Sequence, residues 1–237
     1  MLKLNEIYNE DCLDGIKKIA DKSISCIICD PPYFTGMTHG YGDKAQMLDL
    51  AICKPFYKEL FREFKRVMNY RATLYWFCDW RSQGFYLTAM LEENIPIRNC
   101  LVWHKGASAG NFYTYSHEMI LFATNDNKFH KKGLTNVILG IPGFCQNCRL
   151  DGGKVHTSQK PLGIIEKLMR DGSEEGDTVL DCFLGSGTTA VAAINLNRRY
   201  VGFELSEKYF EIACQRLEYA ANLKEQNLFE RGDSEVG

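Results

Sequence analysis

The chain has 237 residues and a mass of 27.1 kDa, enough for one large α/β domain with a modest insertion and a single hydrophobic core. Hydrophobic residues make up 45% and charged ones 24%, with 20 Gly and only 6 Pro, which excludes the disordered, collagenous and low-complexity classes. A net charge of −2 and a pI of about 6.2 exclude a surface coated in basic residues, while leaving room for a local basic patch that holds nucleic acid.

No apolar run approaches the roughly 18 residues that span a bilayer, and Lys3, Glu6, Glu10 and Asp11 stand where a secretory signal would be apolar. A cytoplasmic location without membrane attachment is expected, and the 10 cysteines are then expected to stay reduced.

Short apolar runs alternate with helical ones, the pattern of a mostly parallel sheet covered on both faces. In chain order the predicted strands are Ile24 to Cys29, Ala72 to Cys78, Cys100 to His104, Met119 to Ala123, Thr178 to Asp181 and Tyr200 to Phe203. Phe56, Leu60, Phe61, Phe64, Val67 and Met68 recur at helical spacing, as do Ile164, Ile165, Leu168 and Met169, and both read as helices that cover the sheet. No internal repeat or linker supports a second domain, so residues 1–237 are expected to form one domain. Two stretches break the alternation. Phe34 to Lys44, rich in Gly, Thr, His and Tyr, reads as a mobile loop after a strand end. Asp126 to Val155 lacks a period and carries Lys128, Lys131, Lys132, Arg149 and Lys154 against Asp126 and Asp151, so it reads as a small insertion or a solvated loop.

The first strand runs into Asp30-Pro31-Pro32-Tyr33, at the kind of strand tip where open α/β sheets bind ligands. The prolines fix φ and remove two N–H donors, leaving nearby carbonyls to accept in a rigid geometry. A carboxylate, a fixed carbonyl and a ring face together suit a planar group that bears an NH2. Such an exocyclic amine attacks a methyl sulfonium poorly until acceptors hold its hydrogens and its nitrogen becomes more tetrahedral. Asp30 and the Pro31 carbonyl can do that while Tyr33 stacks on the base.

Near the C-terminus Thr178 to Ala190 runs from a strand through a glycine turn into a helix, and the next strand ends in Glu204. Gly185 and Gly187 permit a tight turn and close approach to a ligand, and a carboxylate at the following strand tip can accept both hydroxyls of a ribose. The spacing also satisfies a loose dinucleotide fingerprint, so an NAD-dependent oxidoreductase stays open on these residues, although it leaves Asp30 to Tyr33 without a purpose. A phosphate-binding P-loop is excluded, because no Lys follows the glycines. Cys26 and Cys29 lie three apart on a strand, point to opposite faces and read as core; Cys145 and Cys148 would need His130 or His156 to hold zinc, and no metal is expected. Trp76, Trp80 and Trp103 read as core or wall.

Taken together, Asn9-Glu-Asp-Cys-Leu13, Asp30 to Tyr33, Trp103-His-Lys105 with His117-Glu118, His156-Thr-Ser-Gln-Lys-Pro161, and Asp181-Cys-Phe-Leu-Gly-Ser-Gly-Thr188 with Glu204 resemble the beta group of S-adenosylmethionine-dependent DNA amino-methyltransferases. In that group the catalytic motif precedes the cofactor motif. The resemblance covers most of the chain and implies a Rossmann-like methyltransferase fold, a doubly wound, mostly parallel sheet with circularly permuted motif order. It implies that Asp30, Pro31, Pro32 and Tyr33 hold the flipped base. Asp181, Phe183, Gly185, Ser186, Gly187 and Thr188 would line the methionine half of the cofactor, Glu204 its ribose, and Asp11 with Cys12 its adenine. Thr157 and Lys160 would sit near the methionine carboxylate. Two residues depart from the family pattern, Cys182 where Pro is usual and Leu184 where a smaller residue is common.

An Asp at the head of the tetrapeptide is similar to the adenine-N6 enzymes, whereas Ser is commoner in the cytosine-N4 ones. The expected reaction is therefore N6 methylation of an adenine flipped out of double-stranded DNA, with cytosine-N4 or RNA amino methylation, or a non-catalytic nucleic-acid-binding relative, as the alternatives. A cytosine-C5 mechanism needs a nucleophilic Cys, usually after Pro, and the sequence has no Pro-Cys pair. The resemblance places target recognition within residues 126–155, whose positive excess suits phosphate contact. Beyond DNA, the partners it allows are a second copy in a homodimer and a cognate restriction endonuclease.

Overall fold

The strand that organises the molecule is β2 (Ile24–Cys29), every residue of which is buried. Such a run suits a central parallel strand covered on both faces. The computed structural model describes residues 2–32, 50–106, 113–126, 133–143 and 159–234. In it, β2 pairs in parallel with β3 (Met68–Cys78) on one side and with β7 (Thr178–Asp181) on the other. The full sheet also contains β1 (Glu6–Tyr8), β4 (Ile97–His104), β5 (His117–Thr124), β6 (Val137–Ile138) and β8 (Arg199–Phe203). Its strand order is β1-β8-β7-β2-β3-β5-β4-β6. Only β5 runs antiparallel to its neighbours, β3 and β4.

Alternation along the strands divides the core into two layers. On one face Ile27 and Cys29 of β2, Leu74 and Trp76 of β3, Leu180 of β7 and Phe203 of β8 pack with α1 (Cys12–Ile16), α2 (Leu50–Val67) and α3 (Gln83–Glu92). On the other, Cys26 and Ile28, Tyr75 and Phe77, and Val179 pack with α4 (Leu162–Gly172), α5 (Thr188–Asn195) and α6 (Glu207–Ser234). The opposed directions of Cys26 and Cys29 follow from this alternation. In α2, Tyr57, Leu60, Phe61 and Phe64 form the buried stripe.

The predicted strands Ile24 to Cys29 and Thr178 to Asp181 have the expected bounds, and the other four are each longer than expected. Met68, assigned to a helix by its spacing, instead opens β3, where it pairs with Ile24 of β2. Part of the unpatterned segment also joins the sheet: β6 pairs in parallel with β4, Val102 against Val137 and Trp103 against Ile138. The Phe34 to Lys44 loop, most of residues 126–155, and Cys145, Cys148, His130 and His156 lie outside the described residues. Trp76 and Trp103 are core, whereas Trp80 is 64% exposed. Among the described residues no helix is long and apolar enough to cross a membrane.

What positions the site is the reversal between β2 and β7. From β2 the chain moves through α2 to β3, while from β7 it moves through α5 on the opposite face to β8. The connections diverge, so a crevice opens above the carboxyl ends of these two adjacent parallel strands. Helix α1 closes one flank, and it does so by close approach: a Cβ on Gly15 would lie 2.2 Å from the buried ring of Phe203. Gly15→Val is therefore expected to destabilise the fold by roughly 1–3 kcal/mol through overpacking. Urea unfolding measures this, and an unchanged midpoint would contradict it.

Candidate functional site

Beyond Asp181 the chain turns through residues 182–187 into α5, with Gly185 at φ +56° and Gly187 at φ +86°. These left-handed conformations suit glycine. The Leu184 N–H donates to the Phe203 carbonyl at 2.9 Å, and the Gly187 N–H donates to the Leu184 carbonyl at 3.0 Å, closing the turn against β8. Glu204, just past β8, is fixed by backbone donors: Oε2 accepts from the Gly185 N–H and Oε1 from the Ser206 N–H, each at 2.8 Å. One N–H per oxygen leaves acceptor capacity on a carboxylate whose orientation is already set.

The two departures from the family pattern have structural accounts. Where Pro would lack a donor, Cys182 has an N–H that donates to Cys29 Sγ at 3.4 Å. Leu184 covers Gly202, where an added Cβ would lie 2.9 Å from its side chain. Asp181 is buried, with Oδ2 accepting from Thr189 Oγ1 at 2.6 Å and Oδ1 from the Phe183 N–H at 2.9 Å. Arg216 of α6 braces the loop, donating to the Ser186 carbonyl and, at 2.9 Å, to Ser186 Oγ.

At the tip of β2, Asp30 is followed by buried Pro31 and exposed Pro32. Asp30 Oδ2 accepts from Lys160 Nζ at 2.7 Å; the same ammonium lies 3.2 Å from Glu118 Oε2, and Glu118 Oε1 accepts from Lys105 Nζ at 2.7 Å. Lys160, expected beside a cofactor carboxylate, thus turns its charge to Asp30 and Glu118, two anions within hydrogen-bond reach of a mostly buried ammonium. Those anions raise its pKa against burial, which alone would lower it.

A single cavity of about 1300 Å³ joins these groups. Asp11, Cys12, Asp30, Pro31, Pro32, Lys160, Asp181, Phe183, Gly185, Ser186, Thr188 and Glu204 all line it. Gly187 does not; a Cβ added there would lie 3.0 Å from that of Ala213 on α6, so this glycine shapes the turn from behind. Tyr33 and Thr157 lie outside the described residues. Asp11 also caps α1, accepting from the Leu13 N–H at 2.8 Å. Trp80, expected as core or wall, is exposed in the cavity wall; Tyr113 beside the same cavity, and Thr189, Arg216, Lys105 and Glu118, whose partners the fold supplies, carry no signal in the sequence. Among the described residues no group of three His, Cys, Asp or Glu side chains is placed to hold a metal.

Burial pushes the Asp181 carboxyl up from 3.8 to about 7; the Thr189 and Phe183 donors oppose the shift, and the Asp30 and Glu204 charges add to it. Because the folded state holds this proton to higher pH than the unfolded chain, the contribution of Asp181 to stability is greatest below about pH 4. It falls as the pH rises to about 7 and stays lost above. Neutral Asp181→Asn has no such loss. Its stability relative to wild type is expected to improve by on the order of a few kcal/mol between about pH 4 and about pH 8. Urea titrations at the two values measure this, and a difference independent of pH would contradict it.

Residues 24–215 match the DNA methylase family model N6_N4_Mtase, which spans both halves of the cavity. The chain is similar to the type II methyltransferase M2.MboI of Moraxella bovis, with 29% identity over 89% of this chain and 86% of that protein. Among solved structures it resembles the M1.HpyAVI complex with SAM (S-adenosylmethionine), with 24% identity, a TM-score of 0.69 and coverage of 90% of this chain and 98% of that one. It also resembles the cytosine-N4-specific PvuII DNA methyltransferase, with 16% identity, a TM-score of 0.72 and coverage of 89% and 85%. The doubly wound sheet expected from the sequence is the fold of these structures. The family uses S-adenosylmethionine as its methyl donor. The family model covers most of this chain and, with it, both the Asp30 strand tip and the Gly185 turn, so the protein belongs to the N6/N4 amino-methyltransferases of DNA.

Proposed function

We propose that the protein methylates the exocyclic N6 of an adenine flipped out of double-stranded DNA, with S-adenosylmethionine as donor. The observation that carries this reading is that Asp30 and the Glu204–Gly185 loop line one cavity, larger than the roughly 300–1,000 Å³ typical of a single-ligand pocket. The chain's own residues fit the cofactor. The Glu204 carboxylate, held by the Gly185 and Ser206 N–H groups, would accept the ribose hydroxyls. Asp11 and Cys12 would border the adenine ring, and Phe183, Ser186 and Thr188 the methionine half. Asp181, at the same end, is an acid whose charge a neighbouring cation would favour.

When bound, S-adenosylmethionine supplies a methyl carbon on a sulfonium, whose C–S pair returns to sulfur as the new N–CH3 bond forms. The protein's part is to prepare the nitrogen. Asp30 and the Pro31 carbonyl would accept the two amine hydrogens, favouring a nitrogen whose lone pair points at the methyl group, and Asp30 would pass the proton shed after transfer to solvent. The walls of the cavity would exclude water while the base is in place. Trp80 and Tyr113, 64% and 91% exposed in the cavity wall, are aromatic faces suited to an extruded base or the gap it leaves.

Adenine is favoured over cytosine by Asp at position 30, and residues 126–155 are proposed as the target-recognition insertion of a single domain spanning 1–237. The type II naming of the Moraxella bovis relative supports pairing with a restriction endonuclease of the same specificity. Asp30→Ala is expected to lower methyl transfer from labelled cofactor to unmethylated DNA by at least about 100-fold, with cofactor affinity little changed. Normal turnover in that variant would refute the reading. Glu204→Ala is expected to weaken cofactor binding by about 10-fold or more in calorimetry, since it removes charge-assisted acceptors, and equal affinity would refute the ribose contact. Mass spectrometry of nucleosides from treated DNA should yield N6-methyladenine; N4-methylcytosine would replace adenine with cytosine as the target.

A further inference from the structure

Asp30 stands at one end of a row of alternating charges. Lys160 Nζ lies 2.7 Å from its Oδ2 and 3.2 Å from Glu118 Oε2, and Lys105 Nζ lies 2.7 Å from Glu118 Oε1. The four residues come from different places in the fold: the tip of β2, the approach to α4, β5, and the residue after β4. Their side chains are mostly buried, 10% exposed for Lys160, 14% for Glu118 and 25% for Asp30. The ring of Phe77 lies beneath the Lys160 ammonium, 5.2 Å from its nitrogen.

Burying such a row costs desolvation energy that apolar residues would not incur, and a buried ion pair is weak evidence of a purely stabilising role. Here the row ends on the carboxylate that is to accept an amine hydrogen, and every member lines the cavity. An ammonium held to Asp30 keeps that carboxylate charged next to the Asp181 acid and fixes its direction. An ammonium held to Asp30 alone would also weaken it as an acceptor. The second carboxylate, on Glu118, divides the pull of that ammonium.

We propose that Lys160 and Glu118 are positioning residues for the reaction: Lys160 keeps Asp30 ionised and aimed into the cavity, and Glu118 shares the Lys160 ammonium so that Asp30 remains a competent acceptor. The inference rests on the reading of Asp30 as the acceptor of the target amine. It gives Lys160 a different task from contact with the cofactor carboxylate, and it gives Glu118 a task where none was assigned. Among the described residues, the ionisable groups that face Asp30 include Lys160, Glu118 through that lysine, Asp181 at the end of β7 and Tyr86 on α3, while Lys105 acts through Glu118.

Steady-state methylation of unmethylated genomic DNA, with cofactor binding measured by calorimetry on the same preparations, tests this. Lys160→Met is expected to lower kcat at neutral pH by about 100-fold, with the cofactor Kd within about threefold of wild type, because only the acceptor is disturbed. Its rate is expected to rise more steeply with pH than that of wild type, because losing the cation beside Asp30 favours the protonated acid. Lys160→Arg, which keeps the cation, should restore most of the neutral-pH rate. Glu118→Gln should lower kcat by about 10-fold, again without loss of cofactor affinity, and it carries the test if Lys160→Met is too unstable to purify.

A fall in cofactor affinity that matches the fall in rate in Lys160→Met, at every pH, would overturn the inference and return Lys160 to the cofactor. Wild-type kcat in either Lys160→Met or Glu118→Gln would also overturn it. Asp30→Ala, measured alongside, separates the two levels. Normal turnover there removes the underlying reading, whereas its inactivity beside a normal Lys160→Met removes the positioning role alone.

Discussion

Three carboxylates meet where two parallel strands part company, and the rest of the site is arranged around keeping them there. Asp30 follows β2, Asp181 ends β7, and Glu204 follows β8; the strand order makes these three tips neighbours around one crevice. Like charges brought together in a buried place repel, and the repulsion appears in the Asp181 carboxyl, raised by burial and by both of its neighbours. Each acid has its own relief. Glu204 takes two backbone N–H groups, Asp181 a hydroxyl and a backbone N–H, and Asp30 the Lys160 ammonium.

That division of labour separates the cavity into two chemical ends. The end built by the glycine turn presents oriented backbone and a carboxylate with spare acceptor capacity, which suits a ribose and a cation. The end built by the tip of β2 presents a carboxylate backed by a row of alternating charges, which suits a neutral amine that must be made more nucleophilic. Both ends rest on rigid strands packed between helical layers, so the distance between them is set by the sheet. Positioning of this kind, with donor and acceptor fixed in line, is a large part of what a methyl-transfer site can contribute.

The sequence disclosed the frame where burial is two-sided and continuous. β2 and β7 are legible because each residue is buried, and α2 because its buried stripe repeats every three or four positions. β3 extends beyond its apolar run because Asn69, Tyr70 and Arg71 interrupt that run near its start, Asn69 half-buried and the other two exposed. β1 and β6, of three and two residues at the sheet edges, are too short to carry a period, and over residues 207–226 of α6 the buried side chains are Ala213, Leu217 and Ala220 alone. At the site, the motifs that carry Asp30, Gly185 and Glu204, which the fold brings to one cavity, are legible in the sequence. The direction of Lys160 was not, since its partner Asp30 is 130 positions away and only the fold brings Glu118 to the same ammonium.

The most direct test is a crystal structure of the protein with a non-reactive cofactor analogue and a duplex that contains its target. The expected result is the analogue with its ribose on Glu204 and an extruded adenine in the same cavity, its N6 within hydrogen-bond distance of the Asp30 carboxylate and facing the position of the transferable methyl. A base left stacked in the duplex with the cofactor site filled, or an extruded base bound away from Asp30, would contradict it.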